Sequence, residues 1–175
     1  MKSFYILPTG DEIKKGIVLD LDAPEIMKQI ICEYPEAEVS RLCPIVDEEN
    51  TILNKIDEIV QRSPDLIVLI GGSGGGHRFS KSLGKDFTHS ALEKYLDEHA
   101  SHEIYGKNGH MWTKLLCGKI ENTVIINVPG PYVEASAAFR AFLEAFKENK
   151  SLDEISLSMA EAVLALFPSG AAKAI

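Results

Sequence analysis

Five apolar residues, Leu66-Ile67-Val68-Leu69-Ile70, run directly into Gly71-Gly72-Ser73-Gly74-Gly75-Gly76, a segment with five glycines in six residues. An uninterrupted apolar run of this length suits a strand covered on both faces, as in a parallel sheet. Glycine permits positive φ and lets a ligand approach the main chain closely. The N–H groups of such a loop form a concave anion site. In open α/β sheets, ligands lie beyond the carboxyl ends of the strands, which is where this loop falls. The pattern therefore predicts a site for a phosphorylated or otherwise anionic small molecule.

The chain of 175 residues fits one domain over residues 1–175 and can bury a real core. Its net charge of −8 argues against non-specific binding to nucleic acid or to an anionic membrane. A glycine loop can still hold an anion, because its dipoles act locally. Cys32, Cys43 and Cys117 are odd in number and widely spaced, with no CxxC or His/Cys cluster to suggest zinc. They read as reduced thiols of a cytoplasmic protein. No segment reaches the roughly 18 apolar residues of a membrane span. The apolar start Phe4-Tyr5-Ile6-Leu7 is broken at once by Pro8, so no signal-peptide pattern is expected.

Strand and helix patterns alternate. Strands are predicted over residues 3–7, 38–43, 66–70 and 123–128, with short strands at 102–105 and 113–117 and an extended piece at 16–20. Helical spacing of apolar residues predicts helices over 24–34, 48–62, 88–99 and 132–147. Ser151-Leu152-Asp153-Glu154 is a capping box that opens a last helix to about residue 167. Residues 160–175 either complete the core or pack on a neighbouring subunit. This order predicts a three-layer α/β/α sandwich with a mostly parallel central sheet.

Such a sheet brings four segments to one edge: Thr9-Gly10-Asp11-Glu12 after the first strand, Asp47 after the second, the glycine loop after the third, and Pro129-Gly130-Pro131 after residues 123–128. Together they predict a crevice. Carboxylates facing a phosphate loop make sense when a divalent metal bridges them to phosphate oxygens. Asp86, just before Phe87 and Thr88, is read either as part of that set or as a helix cap. His77 and Arg78 are placed to meet a ligand's negative charge. His89, His99, His102 and His110 show no ligand spacing and read as structure. Lys81, Lys85 and Lys107 read as solvated, Met111 and Trp112 as packing, and Cys117 as core.

These segments, in this order, resemble the MoaB/MogA/MoeA-type molybdopterin-binding domain over about residues 3 to 146. The matching residues are Thr9-Gly10-Asp11-Glu12 with Gly16-Ile17-Val18-Leu19-Asp20, then Val46-Asp47, Gly71-Gly72-Ser73-Gly74, Asp86-Phe87-Thr88-His89-Ser90-Ala91 and Val128-Pro129-Gly130-Pro131. The resemblance implies a molybdopterin-binding protein of molybdenum-cofactor biosynthesis, with adenylyl transfer or metal insertion as its chemistry. It implies that Gly71, Gly72, Ser73 and Gly74 take the terminal phosphate, joined in the ligand site by Thr9, Gly10, Asp11, Gly75 and Thr88. Glu12, Asp47 and Asp86 become the catalytic acids, with Asp47 and Asp86 as metal ligands. Pro129, Gly130 and Pro131 become the opposite wall. Molybdopterin or its adenylylated form, Mg2+ and ATP are the implied ligands, and a homo-oligomer, trimer or dimer, is the implied assembly. The segment between the glycine loop and Asp86 is longer than in the family, and Pro129-Gly130-Pro131 stands where Pro-Gly-x-Pro is usual. Two further readings use the same loops: a CinA-like nucleotide pyrophosphatase and a non-catalytic molybdopterin carrier.

Overall fold

A computed structural model describes residues 2–75 and 86–175. The expectations for His77, Arg78, Lys81 and Lys85 fall outside these residues. In chain order the described elements are β1 (Ser3–Pro8), α1 (Asp11–Lys14), α2 (Asp22–Glu33), β2 (Glu38–Arg41), α3 (Glu49–Val60), β3 (Leu66–Ile70), α4 (Thr88–Tyr95), β4 (Glu98–Gly106), β5 (Met111–Ile120), β6 (Thr123–Val128), α5 (Tyr132–Lys147), α6 (Leu152–Leu164) and β7 (Ala172–Ala174).

The strands form one sheet in the order β2-β1-β3-β6-β5-β4-β7. The four strands β2, β1, β3 and β6 pair in parallel, whereas β5, β4 and β7 complete the sheet by antiparallel pairing. The expected α/β/α sandwich is thus present, with its parallel strands on one side of the sheet.

Successive strand residues point to opposite faces, and both faces are buried. On one face Phe4, Leu66, Val68 and Ile126 pack with Ile26 and Ile30 of α2, Phe139 and Phe142 of α5, and Met159 and Val163 of α6. On the other, Leu7, Ile67, Leu69 and Ile125 pack with Ile52, Ile56 and Ile59 of α3 and with Ala91 and Leu92 of α4. All five β3 residues are buried, which is why that strand reads as a continuous apolar run. The last helix starts where its capping box predicts: Ser151 Oγ accepts from the Glu154 N–H, and Glu154 accepts from the Ser151 N–H. Residues after 160 complete the chain's own core and sheet, with Ala160 and Val163 buried and β7 paired to β4.

Three local expectations are corrected. The helix predicted over residues 88–99 ends at Tyr95, and Glu98 begins β4. Pairing of Glu98 with Lys119 across β4 and β5 overrides the local helical pattern. Residues 16–20 form no strand, because the Ile17 and Val18 N–H groups both turn back to the Glu12 carbonyl, at 2.9 and 3.3 Å. Ile17 and Leu19 are left 75% and 77% exposed. The strands predicted at 102–105 and 113–117 are longer, nine and ten residues. Among the described residues, no helix is long and apolar enough to cross a membrane.

Candidate functional site

The carboxyl ends of β1, β3 and β6 lie side by side, so the loops that follow them form one rim. The main chain ties this rim together. Thr9 N–H donates to Ile70 O at 2.8 Å, Gly10 N–H to Ile45 O at 3.0 Å, and Gly71 N–H to Val128 O at 3.0 Å. These bonds fix the loops of four parallel strands against one another before any ligand arrives.

The glycine loop is shaped by two residues with positive φ, Gly71 at 92° and Gly72 at 61°. A Cβ at Gly72 would overlap the Thr88 hydroxyl and stand 2.8 Å from Asp47 Oδ1. Only glycine fits there. The loop is held from below. Thr88 N–H donates to Gly72 O at 3.1 Å, Thr113 Oγ1 donates to Ser73 Oγ at 2.8 Å, and Lys114 N–H donates to Ser73 O at 2.8 Å. His89 Nε2 donates to Gly74 O at 3.1 Å. Gly75 N–H is taken by Met111 O at 3.3 Å. The N–H groups of Gly72, Ser73 and Gly74 meet no protein acceptor among the described residues. They are the donors the loop offers to an anion.

Two carboxylates flank these donors. Asp47 Oδ1 lies at Gly72 and accepts the Phe87 N–H at 3.2 Å, which ties the start of α4 to a residue 40 positions earlier. Asp86 Oδ2 stands 2.7 Å from where a Gly74 Cβ would be. The N-cap of α4 is Phe87 rather than Asp86, and Asp86 Oδ2 faces the loop. Burial pushes the Asp47 carboxyl up to about 6, helped by the negative charges of Asp86, Glu12 and Asp11 and opposed by the Phe87 N–H. Four acids thus share one rim. Among the described residues, no three His, Cys, Asp or Glu side chains converge closely enough to hold a metal ion by themselves. A cation at Asp47 and Asp86 would need oxygen ligands from the bound molecule as well.

The rim opens into a cavity of about 950 Å³. Of the residues predicted from sequence, Thr9, Gly10, Asp11, Glu12, Asp47, Gly71, Gly72, Ser73, Gly74, Gly75, Asp86, Pro129, Gly130 and Pro131 all line it. Thr88 does not. It is fully buried, and its hydroxyl meets Thr9 Oγ1 at 3.0 Å. Thr9 Oγ1 already donates to Ile70 O at 2.9 Å, so Thr88 is the donor in that pair. Its role is support of the loop rather than contact with the ligand.

Sequence reasoning missed part of the cavity wall. Trp112 lines it, with its ring tilted against Phe167 at 4.8 Å between centroids. Asp22 and Glu134 line it too, from the first turns of α2 and α5. An acid in the first turn of a helix is so ordinary that only the positions after a rim loop could have marked these two. Burial and the neighbouring Asp20 charge push Asp22 up to about 6, and burial raises Glu134. Cys117 is buried in the sheet and pushed up to about 12, in keeping with a core thiol rather than a nucleophile.

Known proteins place this architecture. The model of the family described as the probable molybdopterin binding domain matches residues 5–148. Among solved structures, the chain is similar to the molybdopterin biosynthesis enzyme MoaB from Thermus thermophilus, with 21% identity, a TM-score of 0.65, and 91% of this chain and 98% of that one covered. It is also similar to the tungsten cofactor synthesizing protein MoaB from Pyrococcus furiosus, at 13% identity, a TM-score of 0.60, and 85% and 94% coverage. A CinA protein of unknown function from Thermoplasma acidophilum superposes with 16% identity, a TM-score of 0.58, and 85% and 97% coverage. No curated protein matches the sequence significantly. The chain belongs to the molybdopterin-binding domain family.

Proposed function

We propose that this protein binds molybdopterin along the rim described above and transfers an adenylyl group to it from magnesium-ATP, as a step of molybdenum-cofactor biosynthesis. One observation carries this reading: three available N–H donors of the glycine loop lie between two carboxylates, one of them pushed up to about 6 by burial and by its acidic neighbours. A cation would reconcile anion donors with clustered acids on one rim. Hard oxygen donors of this kind suit Mg2+, with Asp47 and Asp86 as the residues that would hold it. When bound, such an ion neutralises charge on the phosphate groups.

The chain's own residues do the rest by position. Gly72, Ser73 and Gly74 donate their N–H groups to the terminal phosphate of the pterin. That phosphate is thereby oriented for attack on the α-phosphorus of ATP, with pyrophosphate as the leaving group. Thr88, Thr113 and His89 hold the loop still, so little reorganisation is needed at the moment of reaction. Asp11 and Glu12 add negative potential that strengthens cation binding.

The test is a single-turnover assay with ATP labelled at the α-phosphate. Wild type should transfer the label to molybdopterin only with Mg2+ present. Asp86→Asn should bind the pterin and fail to transfer. Transfer by Asp86→Asn at the wild-type rate would refute the assignment. Phosphate release from a dinucleotide without any pterin would favour the pyrophosphatase reading instead.

A further inference from the structure

Besides the acids of the rim, the cavity wall carries Asp22 and Glu134. Asp20 and Asp22 are two residues apart but differ in what they do. Asp20 is fully engaged: its Oδ1 accepts the Ala23 N–H at 3.0 Å, and its Oδ2 pairs with Arg41 Nε at 2.7 Å. Asp22 has no such partners. It is only 9% exposed, and its Oδ1 is sealed from solvent without a hydrogen-bond donor among the described residues. Glu134, half-buried on the same cavity, accepts no hydrogen bond among the described residues. Buried acceptors without donors are rare and costly in folded proteins. A site that keeps one is set up for a ligand that brings the donors with it.

Two parts of the cavity lining ask for opposite things. The glycine loop presents N–H donors and selects an anion. Asp22 presents carboxylate oxygens and selects N–H donors, two adjacent ones being the best match for a carboxylate's pair of oxygens. A molecule with a phosphate at one end and a 2-amino-4-oxopyrimidine ring at the other meets both demands. On that ring the N–H and the neighbouring amino group point the same way. We propose that Asp22, with Glu134 on the same cavity wall, is a specificity-determining acceptor that reads the paired ring N–H and amino donors of the pterin. This inference rests on the molybdopterin reading of the site.

The experiment compares two free rings on the folded, full chain. Pterin (2-amino-4-oxopteridine) carries both donors. Lumazine (2,4-dioxopteridine) replaces the amino group with an acceptor oxygen. Wild type should prefer pterin over lumazine by about tenfold or more, because a mismatched acceptor at a buried carboxylate leaves both unpaired. Asp22→Asn should reverse the preference, since its amide supplies one acceptor and one donor, the complement of lumazine. Glu134→Gln should narrow the preference, and circular dichroism checks that both variants are folded. Equal binding of the two rings by wild type, or an unchanged preference in folded Asp22→Asn, overturns the inference. Binding of molybdopterin with neither free ring detected overturns it as well, and leaves the functional reading standing. Failure of wild type to bind molybdopterin at all overturns both.

Discussion

Asp47→Asn should make this protein more stable at neutral pH while removing its proposed activity. The asparagine keeps an oxygen that can accept the Phe87 N–H, held at 3.2 Å by Asp47 Oδ1, so this tie to the start of α4 survives. What it removes is a negative charge that is partly buried beside Asp86, Glu12 and Asp11. Folding raises the carboxyl from 3.8 to about 6. The folded state therefore binds the proton more tightly than the unfolded chain. Stability from this group is fully present below pH 3.8, declines as pH rises through the window to about 6, and is gone above it. At about 1.4 kcal/mol per pH unit, the wild type gives up roughly 3 kcal/mol across that window, an upper figure for a side chain that keeps some solvent contact. Asparagine gives up none. Urea unfolding of both proteins at pH 4 and pH 8 measures the difference. The variant should gain about 1–3 kcal/mol on the wild type between the two pH values, with the m-value unchanged. A variant that is equally destabilised at both pH values would refute the claim that Asp47 is held against its charge.

Further outcomes follow from the geometry. Gly72→Ala should lower both the unfolding midpoint and phosphate-ligand affinity, since its Cβ overlaps the Thr88 hydroxyl and φ is +61°; thermal shift with and without ligand separates the two effects. Thr113→Val, which deletes the 2.8 Å bond to Ser73 Oγ, should cost about 1 kcal/mol by urea unfolding and weaken ligand binding as the loop loosens. Ser151→Ala should cost about 1 kcal/mol with ligand binding untouched, because the capping box of α6 is remote from the rim. A thiol reagent should modify the exposed Cys32 and Cys43 in the native protein and reach Cys117 only after unfolding.

The parallel half of the sheet was legible because its signals are local. Leu66–Ile70 is buried on both faces and reads so, and the capping box at Ser151 opens α6 where it should. The antiparallel half was less legible. Glu98 and His99 carry a helical pattern and become strand only through pairing with Lys119 and Gly118, about twenty residues later. β7 is three residues long, too short for its single alternation, Ala172-Lys173-Ala174, to mark a strand. The rim followed from topology, since every loop after a parallel strand emerges at the same edge. The far wall did not. Asp22 and Glu134 sit in first turns of helices, where an acid ordinarily serves the helix, and only the packing of α2 beside α5 turns them toward a cavity. Thr88 shows the reverse case: a residue that reads as ligand-facing is spent on Thr9 beneath the loop.

The central claim is that the rim of the parallel strands takes the phosphate of a pterin with the help of a divalent cation. Calorimetric titration of molybdopterin into the full chain, with Mg2+ and with a chelator, tests it most directly. Binding that tightens with Mg2+, and loses that gain in Asp47→Asn and in Asp86→Asn, is the predicted result. No binding, or binding unaffected by Mg2+ and by both substitutions, would contradict it.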